Sequence, residues 1–369
     1  MAIEDTNMEI IKIKKSDWAG GIDKSRKTYH LFGPVKHKNH HIFRQLENNI
    51  YPDMEYMSSV LSPKSVLFPQ SQKILVTSAD ASGKACHIFT PPEQDHTPRA
   101  VIGIRPCDAK AVQLVKLNFD TKEYQDPYWC SAFEATTFVG LAVNTPSVLD
   151  FSTSAGSGPF AQEGLDVLLV DCKDHYLAKI LSQKGKEFLN TAGFNEKEDP
   201  KAADQVIQQM KISAEKAICS VIQTQHLKKK TVLELYEAPF WEDIAFSCIS
   251  CGTCAYVCPT CWCFDIQDET QGKTAVRFRN WDTCMPALFT RHSSGHNPRG
   301  EKIQRVRQRF MHKLKYFDDK YDQGIMCIGC GRCVEKCPVN IDIRDICNLM
   351  NAYKPEKESD AGEIKGEIK

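Results

Sequence analysis

Two stretches of this chain carry cysteine at the same intervals. The first is Cys248-Ile-Ser-Cys251-Gly-Thr-Cys254-Ala-Tyr-Val-Cys258-Pro259. The second is Cys327-Ile-Gly-Cys330-Gly-Arg-Cys333-Val-Glu-Lys-Cys337-Pro338. Gaps of two residues let a chain curl with three sulfurs on its concave side. The longer third gap swings the fourth sulfur away, and the proline behind it turns the backbone further. A four-iron, four-sulfide cubane offers four corners, each suited to a soft thiolate. In this spacing the fourth cysteine of each run serves the other run's cluster. The expected ligand sets are therefore Cys248, Cys251, Cys254 and Cys337 for one [4Fe–4S] cluster, and Cys327, Cys330, Cys333 and Cys258 for a second. Gly252 and Gly331 follow the second cysteine of each run, where a residue without Cβ allows tight loop dihedrals.

Structural zinc also uses C-x2-C pairs, but its four ligands come as two separated pairs and need no repeated run ending in Cys-Pro. A disulfide scaffold fits less well. The chain is long at 369 residues, and its 17 cysteines are an odd number concentrated in the last third. Lys and Arg together number 47, as do Asp and Glu, so overall charge gives no attraction to nucleic acid. No apolar run is long enough to cross a bilayer, and residues 1–15 have no apolar signal core. A cytoplasmic, anaerobic setting is expected, where many free thiols and exposed clusters survive.

The length accommodates two domains or more. Residues 1–235 read as α/β. Short strand-like runs lie at 65–68, 73–77, 86–89, 100–104, 137–143 and 166–170, with helical patterns at 109–117, 174–181 and 202–225. Residues 236–353 hold the cysteine runs, separated by 68 residues (259–326). Much of this insert reads as helical, above all 299–320 after Asn297-Pro298. The expectation is an α/β N-terminal domain followed by an all-α, alpha-helical ferredoxin type dicluster domain. The charged tail 354–369 reads as disordered.

Several segments carry a family resemblance. Cys248–Asp265, ending Cys258-Pro-Thr-Cys261-Trp-Cys263-Phe-Asp265, resembles the iron–sulfur electron-transfer subunit of anaerobic sulfite reductase and the β subunit of cytoplasmic sulfhydrogenases. Trp281-Asp-Thr-Cys284-Met-Pro, Gly295-His-Asn-Pro-Arg299 and Arg305-Val-Arg307-Gln-Arg309 match as well. So do Ser62-Pro63-Lys64, Leu67-Phe-Pro-Gln70 and Arg105-Pro106-Cys107-Asp108. The resemblance implies an electron-transfer subunit that makes no bonds itself. It would stand between a flavoprotein subunit handling NAD(P)H through FAD and a catalytic reductase or hydrogenase subunit. That partner would be of sulfite reductase, sulfhydrogenase or heterodisulfide-reductase type. The alternative is a structural iron–sulfur scaffold in such an assembly. Relatives carry a further cysteine set in the N-terminal domain. Here Val143, Asp150 and Ser152 stand where its cysteines are expected, and only Cys107 remains. Loss of that cluster is the expectation, because valine cannot ligate iron.

Cys261, Cys263 and Cys284 fall outside the repeated runs. They are open to three readings: extra metal ligands, ligands that exchange with a cluster, or buried apolar packing. Three cysteines leave a cubane one ligand short. Arg305, Arg309 and Lys313 share one helix face at i, i+4, i+8. Such a face either sits near an anionic cluster and raises its potential, or is a solvated face or a docking patch for an acidic partner. His292 and His296 enclose Ser-Ser-Gly and read as loop residues. Gly156-Ser-Gly158-Pro-Phe-Ala161 is a turn-rich loop, since Pro159 falls where a nucleotide-binding helix should open.

Overall fold

The computed structural model describes residues 9–78, 89–272 and 274–355. Ten strands are present among them: β1 Ile10–Lys14, β2 His30–His37, β3 His40–Gln45, β4 Ser71–Ser78, β5 Arg99–Ile104, β6 Thr136–Leu141, β7 Val167–Asp171, β8 His175–Ile180, β9 Phe264–Gln271 and β10 Thr274–Trp281. Seven form one sheet in the order β1-β8-β7-β6-β5-β2-β3. Its centre is parallel, from β2 through β5 and β6 to β7, and β1, β8 and β3 close it antiparallel. A parallel centre is covered on both faces, so its strands are apolar throughout rather than alternating. Val101, Ile102, Val139, Val167, Leu168 and Leu169 are all fully buried.

The α/β expectation for this half holds, with three local corrections. Residues 174–181, read as helix, form β8. The run His-Tyr-Leu-Ala-Lys-Ile has fair helix propensity, but it lies between β1 and β7 and pairs with both. Ladder bonds on two sides outweigh propensity. Residues 65–68, read as strand, are instead the second half of the short 3-10 helix Pro63–Val66 and a turn at 67–68. Pro63 opens that helix and the Ser62 hydroxyl accepts from the Lys64 N–H. The helix read at 202–225 is Pro200–Ala217. Beyond it the backbone N–H groups of Ile222, Gln223 and His226 donate to Ser154, Asn348 and Asn351, so docking contacts take the place of the helical ladder. The strand read at 86–89 lies almost wholly outside the described residues.

The C-terminal region is mainly helical: Val232–Tyr236, Phe240–Ser247, Thr253–Tyr256, Lys302–Met311, Phe317–Tyr321, Arg332–Glu335 and Ile343–Ala352. The segment His312–Tyr316 is a π-helical turn inside a longer helix. This region is not all-α, however. The insert opens with the hairpin β9–β10, and β10 pairs antiparallel with β4 from far upstream. The Arg279 guanidinium fastens the hairpin down. It is 4% exposed, forms an ion pair with Asp126 and lies over the rings of Phe68, Phe119 and Phe264. The Trp281 indole donates to the Phe68 carbonyl at 2.9 Å.

A thiol-lined candidate redox site

Each cysteine run folds as a loop closed by one turn of helix. Gly252 and Gly331 cap those turns in the left-handed region, at φ 75° and 73°, as the spacing predicted. The first run supplies Cys248, Cys251 and Cys254 to a cavity that Cys337 and Pro338 of the second line as well. Sulfurs from both runs thus meet around one space, and Cys333 lines it too. Burial pushes the thiols of Cys248 and Cys254 up; beside Cys254 the Arg309 guanidinium works the other way.

Cys258 faces the second run. Burial raises the thiols of Cys327, Cys330 and Cys333, the last to about 12, and the charge of Cys258 adds to the rise in all three. Cys258 itself is held well below the ordinary thiol range. A hydrogen bond from the Cys261 thiol is the main cause, with Lys313, Arg309 and Thr260 helping. Thiolate is the form that binds iron. Among the described residues no three His, Cys, Asp or Glu side chains close on a single-ion position. The cysteines stand around cavities instead.

The basic helix lies inside this site. Arg305, Arg309 and Lys313 are 8%, 3% and 3% exposed, so the solvated and docking-patch readings of that face are excluded. Arg305 donates through Nε to the Met285 carbonyl at 2.7 Å and ties the insert to the helix. Arg309 donates to the Cys254 carbonyl at 2.9 Å, stands 4.0 Å from Cys261 Sγ, and leaves its buried Nε without a partner. Lys313 Nζ donates to Thr260 Oγ1 at 2.6 Å. That hydroxyl donates in turn to the Met326 carbonyl at 2.8 Å and lies 3.4 Å from Cys258 Sγ.

Cys261, Cys263 and Cys284 come together along a further cavity of about 340 Å³, with Arg309, His312 and Lys313 on the facing wall. Cys263 and Cys284 share a thiol–thiol hydrogen bond that holds Cys263 below its usual range and pushes Cys284 up. His292 and His296 sit in an exposed turn, where the His292 N–H donates to the His296 carbonyl at 2.8 Å.

Three participants carried no readable role in the sequence. Lys64 Nζ donates to the carbonyls of Cys258 and Cys261 at 2.9 and 3.0 Å and sits 4.2 Å over the Trp281 ring. Asp108, in the first turn of the helix Pro106–Phe119, takes a two-pronged hydrogen bond from Arg332 at 2.6 and 2.7 Å, fully buried. Arg332 also donates to the Ser59 carbonyl at 2.8 Å. Ser62-Pro63-Lys64 and Arg105-Pro106-Cys107-Asp108 stood out as motifs, but only their contacts reveal that both brace the cysteine loops. Thr260 had no signal beyond its place between Cys258 and Cys261.

The segment carrying Val143, Asp150 and Ser152 lies against the second loop. The Phe151 N–H donates to the Gly329 carbonyl at 2.9 Å, and Ser152 is buried with its hydroxyl unpartnered. Cys107 is nearby: burial raises its thiol well above the ordinary range, with Asp108 and Cys330 adding to the effect.

Residues 247–341 match the family model for the 4Fe-4S dicluster domain. Over 348 residues the chain is 26% identical to sulfhydrogenase 2 subunit beta of Pyrococcus furiosus, covering 91% of this chain and 96% of that protein. No solved structure matches. The match extends through both halves, so it includes the N-terminal sheet as well as the cysteine runs. These findings support the iron–sulfur subunit family to which the motifs pointed, and with it an iron–sulfur electron-transfer subunit. No described helix is long and apolar enough to cross a membrane.

Proposed function

We propose that this chain relays single electrons through two [4Fe–4S] clusters. Cys248, Cys251, Cys254 and Cys337 hold one, and Cys258, Cys327, Cys330 and Cys333 hold the other. The donor and acceptor are a flavoprotein subunit of FAD/NAD(P)H type and a catalytic reductase or hydrogenase subunit. The observation that carries this reading is the cavity shared by three cysteines of the first run and the fourth of the second. Thiols of both runs, Cys333 included, line it from positions that no local fold would unite. The donor set fits a cubane, and clusters so held supply reversible one-electron transfer.

The chain's own residues do the rest. Apolar Val306, Phe310, Ile341 and Ile343 line the first cavity and keep water from it. Arg309 reaches both sets of sulfurs and offsets the negative charge that gathers when eight thiols ionise. A cation so placed favours the reduced, more negative state and raises the potential. The N-terminal domain (1–235) serves as the dock for the dicluster region (236–353). Its segment 143–152 braces the second loop and holds no cluster of its own.

The test is Cys337→Ala in anaerobically purified protein. The cluster of Cys248, Cys251 and Cys254 should lose its spectroscopic signature while that of Cys327, Cys330 and Cys333 persists. The reverse pattern overturns the crossed assignment. Copurification from extract, with flavin and a hydrogenase or reductase subunit in the same complex, tests the partners.

A further inference from the structure

The insert between the two runs builds a site of its own. Its hairpin closes with Phe264 opposite Trp281, and the Asp282 N–H donates to the Cys263 carbonyl at 2.9 Å. The chain leaves at Cys261-Trp-Cys263 and is returned beside its starting point, so that Cys284 joins the other two thiols. The facing wall comes from the helix Lys302–Met311, which carries Arg309, and from the π turn after it, which carries His312 and Lys313. A π turn re-aims side chains at some loss of hydrogen-bond geometry and recurs at functional sites.

Lys313 is the telling residue. It is 3% exposed, and among the described residues it has no carboxylate partner. Its ammonium has three protons to donate, and Thr260 Oγ1 takes one of them. Its charge is met by the sulfurs of Cys258 and Cys261, and Cys261 lines this cavity. Arg309 lines the cavity of the first run as well, whereas Lys313 lines this one and not that. Three thiols select soft metal. A single ion is disfavoured, because the thiols and His312 do not close on one position.

We propose that Cys261, Cys263 and Cys284 hold a third iron–sulfur cluster in this cavity, with one iron left to a non-cysteine ligand. The assignment rests on the cysteine runs binding their own clusters, which commits Cys258 elsewhere. Binding releases three thiol protons, and the cationic wall offsets the charge that remains. His312, an exposed residue that also lines the cavity, is the side chain there that could offer the non-cysteine ligand.

The test compares wild-type protein with Cys263→Ser and Cys284→Ser, all full length and anaerobically purified. Iron and acid-labile sulfide should be about twelve each per chain in wild type and about eight in each variant, with unchanged far-ultraviolet circular dichroism. In addition, a cubane bound by three thiolates loses its fourth iron on mild oxidation with ferricyanide. Wild type should then show the paramagnetic resonance signal of a three-iron cluster, and the variants should not. Equal iron in all three proteins, at eight or at twelve, overturns the third cluster and leaves the other two standing. Iron-free wild type overturns both readings. If the variants fail to fold, the wild-type resonance decides alone: no three-iron signal, no third cluster.

Discussion

Ile249 and Ile328 occupy the same place in the two cysteine loops, yet one is 61% exposed and the other 2%. The backbones of the loops are alike. Ser250 and Gly329, next in line, have φ of 57° and 72°, and Gly252 and Gly331 have 75° and 73°. Their surroundings are opposite. The first loop leaves Cys251 exposed beside Ile249 and a Phe246 that is 87% exposed. The second is covered by residues 149–152 and fastened by Arg332 to Asp108. Cysteine spacing thus sets the shape of each loop, and the residues between the cysteines decide what it faces. On the proposed function, the first loop is the port open to a redox partner and the second is the anchor that joins the halves of the chain.

The largest contrast should come from the anchor's ion pair. Arg332→Met leaves the Asp108 carboxylate buried without its partner. The expected loss is about 3–5 kcal/mol in anaerobic chemical denaturation. Arg332→Met combined with Asp108→Leu should recover much of that, because the stranded charge is gone. The matching position in the first loop is Thr253, half-buried and without such a partner, where Thr253→Ala should stay within about 1 kcal/mol. Equal losses at the two positions would show that the loops do not divide into port and anchor.

Next in size is Gly329→Ala. A Cβ there would fall 2.5 Å from the backbone N and Cα of Ser152, at a φ of 72° that side chains avoid. Neither the backbone of Ser152 nor the loop can yield cheaply, so a loss of about 2–4 kcal/mol is expected. Weaker retention of the cluster assigned to Cys327, Cys330 and Cys333 should accompany it. An unchanged melting temperature would mean that residues 149–152 do not brace the loop.

The isoleucine pair separates stability from exchange with a partner. Ile328→Ala should cost about 2–4 kcal/mol by opening a cavity in the core. Ile249→Ala should change stability by less than about 0.5 kcal/mol. It should nevertheless slow electron exchange with the physiological partner in stopped-flow reduction, while exchange with a small mediator is unaffected. If Ile249→Ala leaves both rates alone, the first loop is not the port.

Much of this arrangement was legible in the sequence, and the reason it stopped where it did is physical. The cysteine runs were readable because ligand geometry is local: the intervals between thiols are set by the object they surround. Strands β5, β6 and β7 were readable because a strand buried on both faces must be apolar throughout. The hairpin β9–β10 was not. Phe-Asp-Ile-Gln-Asp-Glu-Thr, residues 264–270, is charged and exposed, and its anchor, β4, lies almost two hundred residues upstream. Nothing in that run distinguishes it from a polar loop. Arg305, Arg309 and Lys313 were visible as one helix face, but whether that face met thiols or solvent depended on how the insert folds back. Likewise Asp108 and Arg332 each read as ordinary charges, since a pairing 224 residues apart leaves no trace in either neighbourhood.

The smallest effect should be the most direct comparison of the loops. Ser250 holds the left-handed conformation that Gly329 holds in the second loop, and its buried hydroxyl has no hydrogen-bond partner. A non-glycine residue in that region costs about 1–2 kcal/mol, and an unmet hydroxyl adds to it. Ser250→Gly removes both but gives the unfolded chain more freedom, which returns part of the gain. The net expectation is a stabilisation of about 0.5–1 kcal/mol, read as a higher denaturation midpoint at constant slope. The substitution makes the first loop Cys-Ile-Gly-Cys-Gly, as in the second. A loss of stability would show that Ser250 has a partner once the neighbouring thiols are occupied, and that the loops differ in more than what covers them.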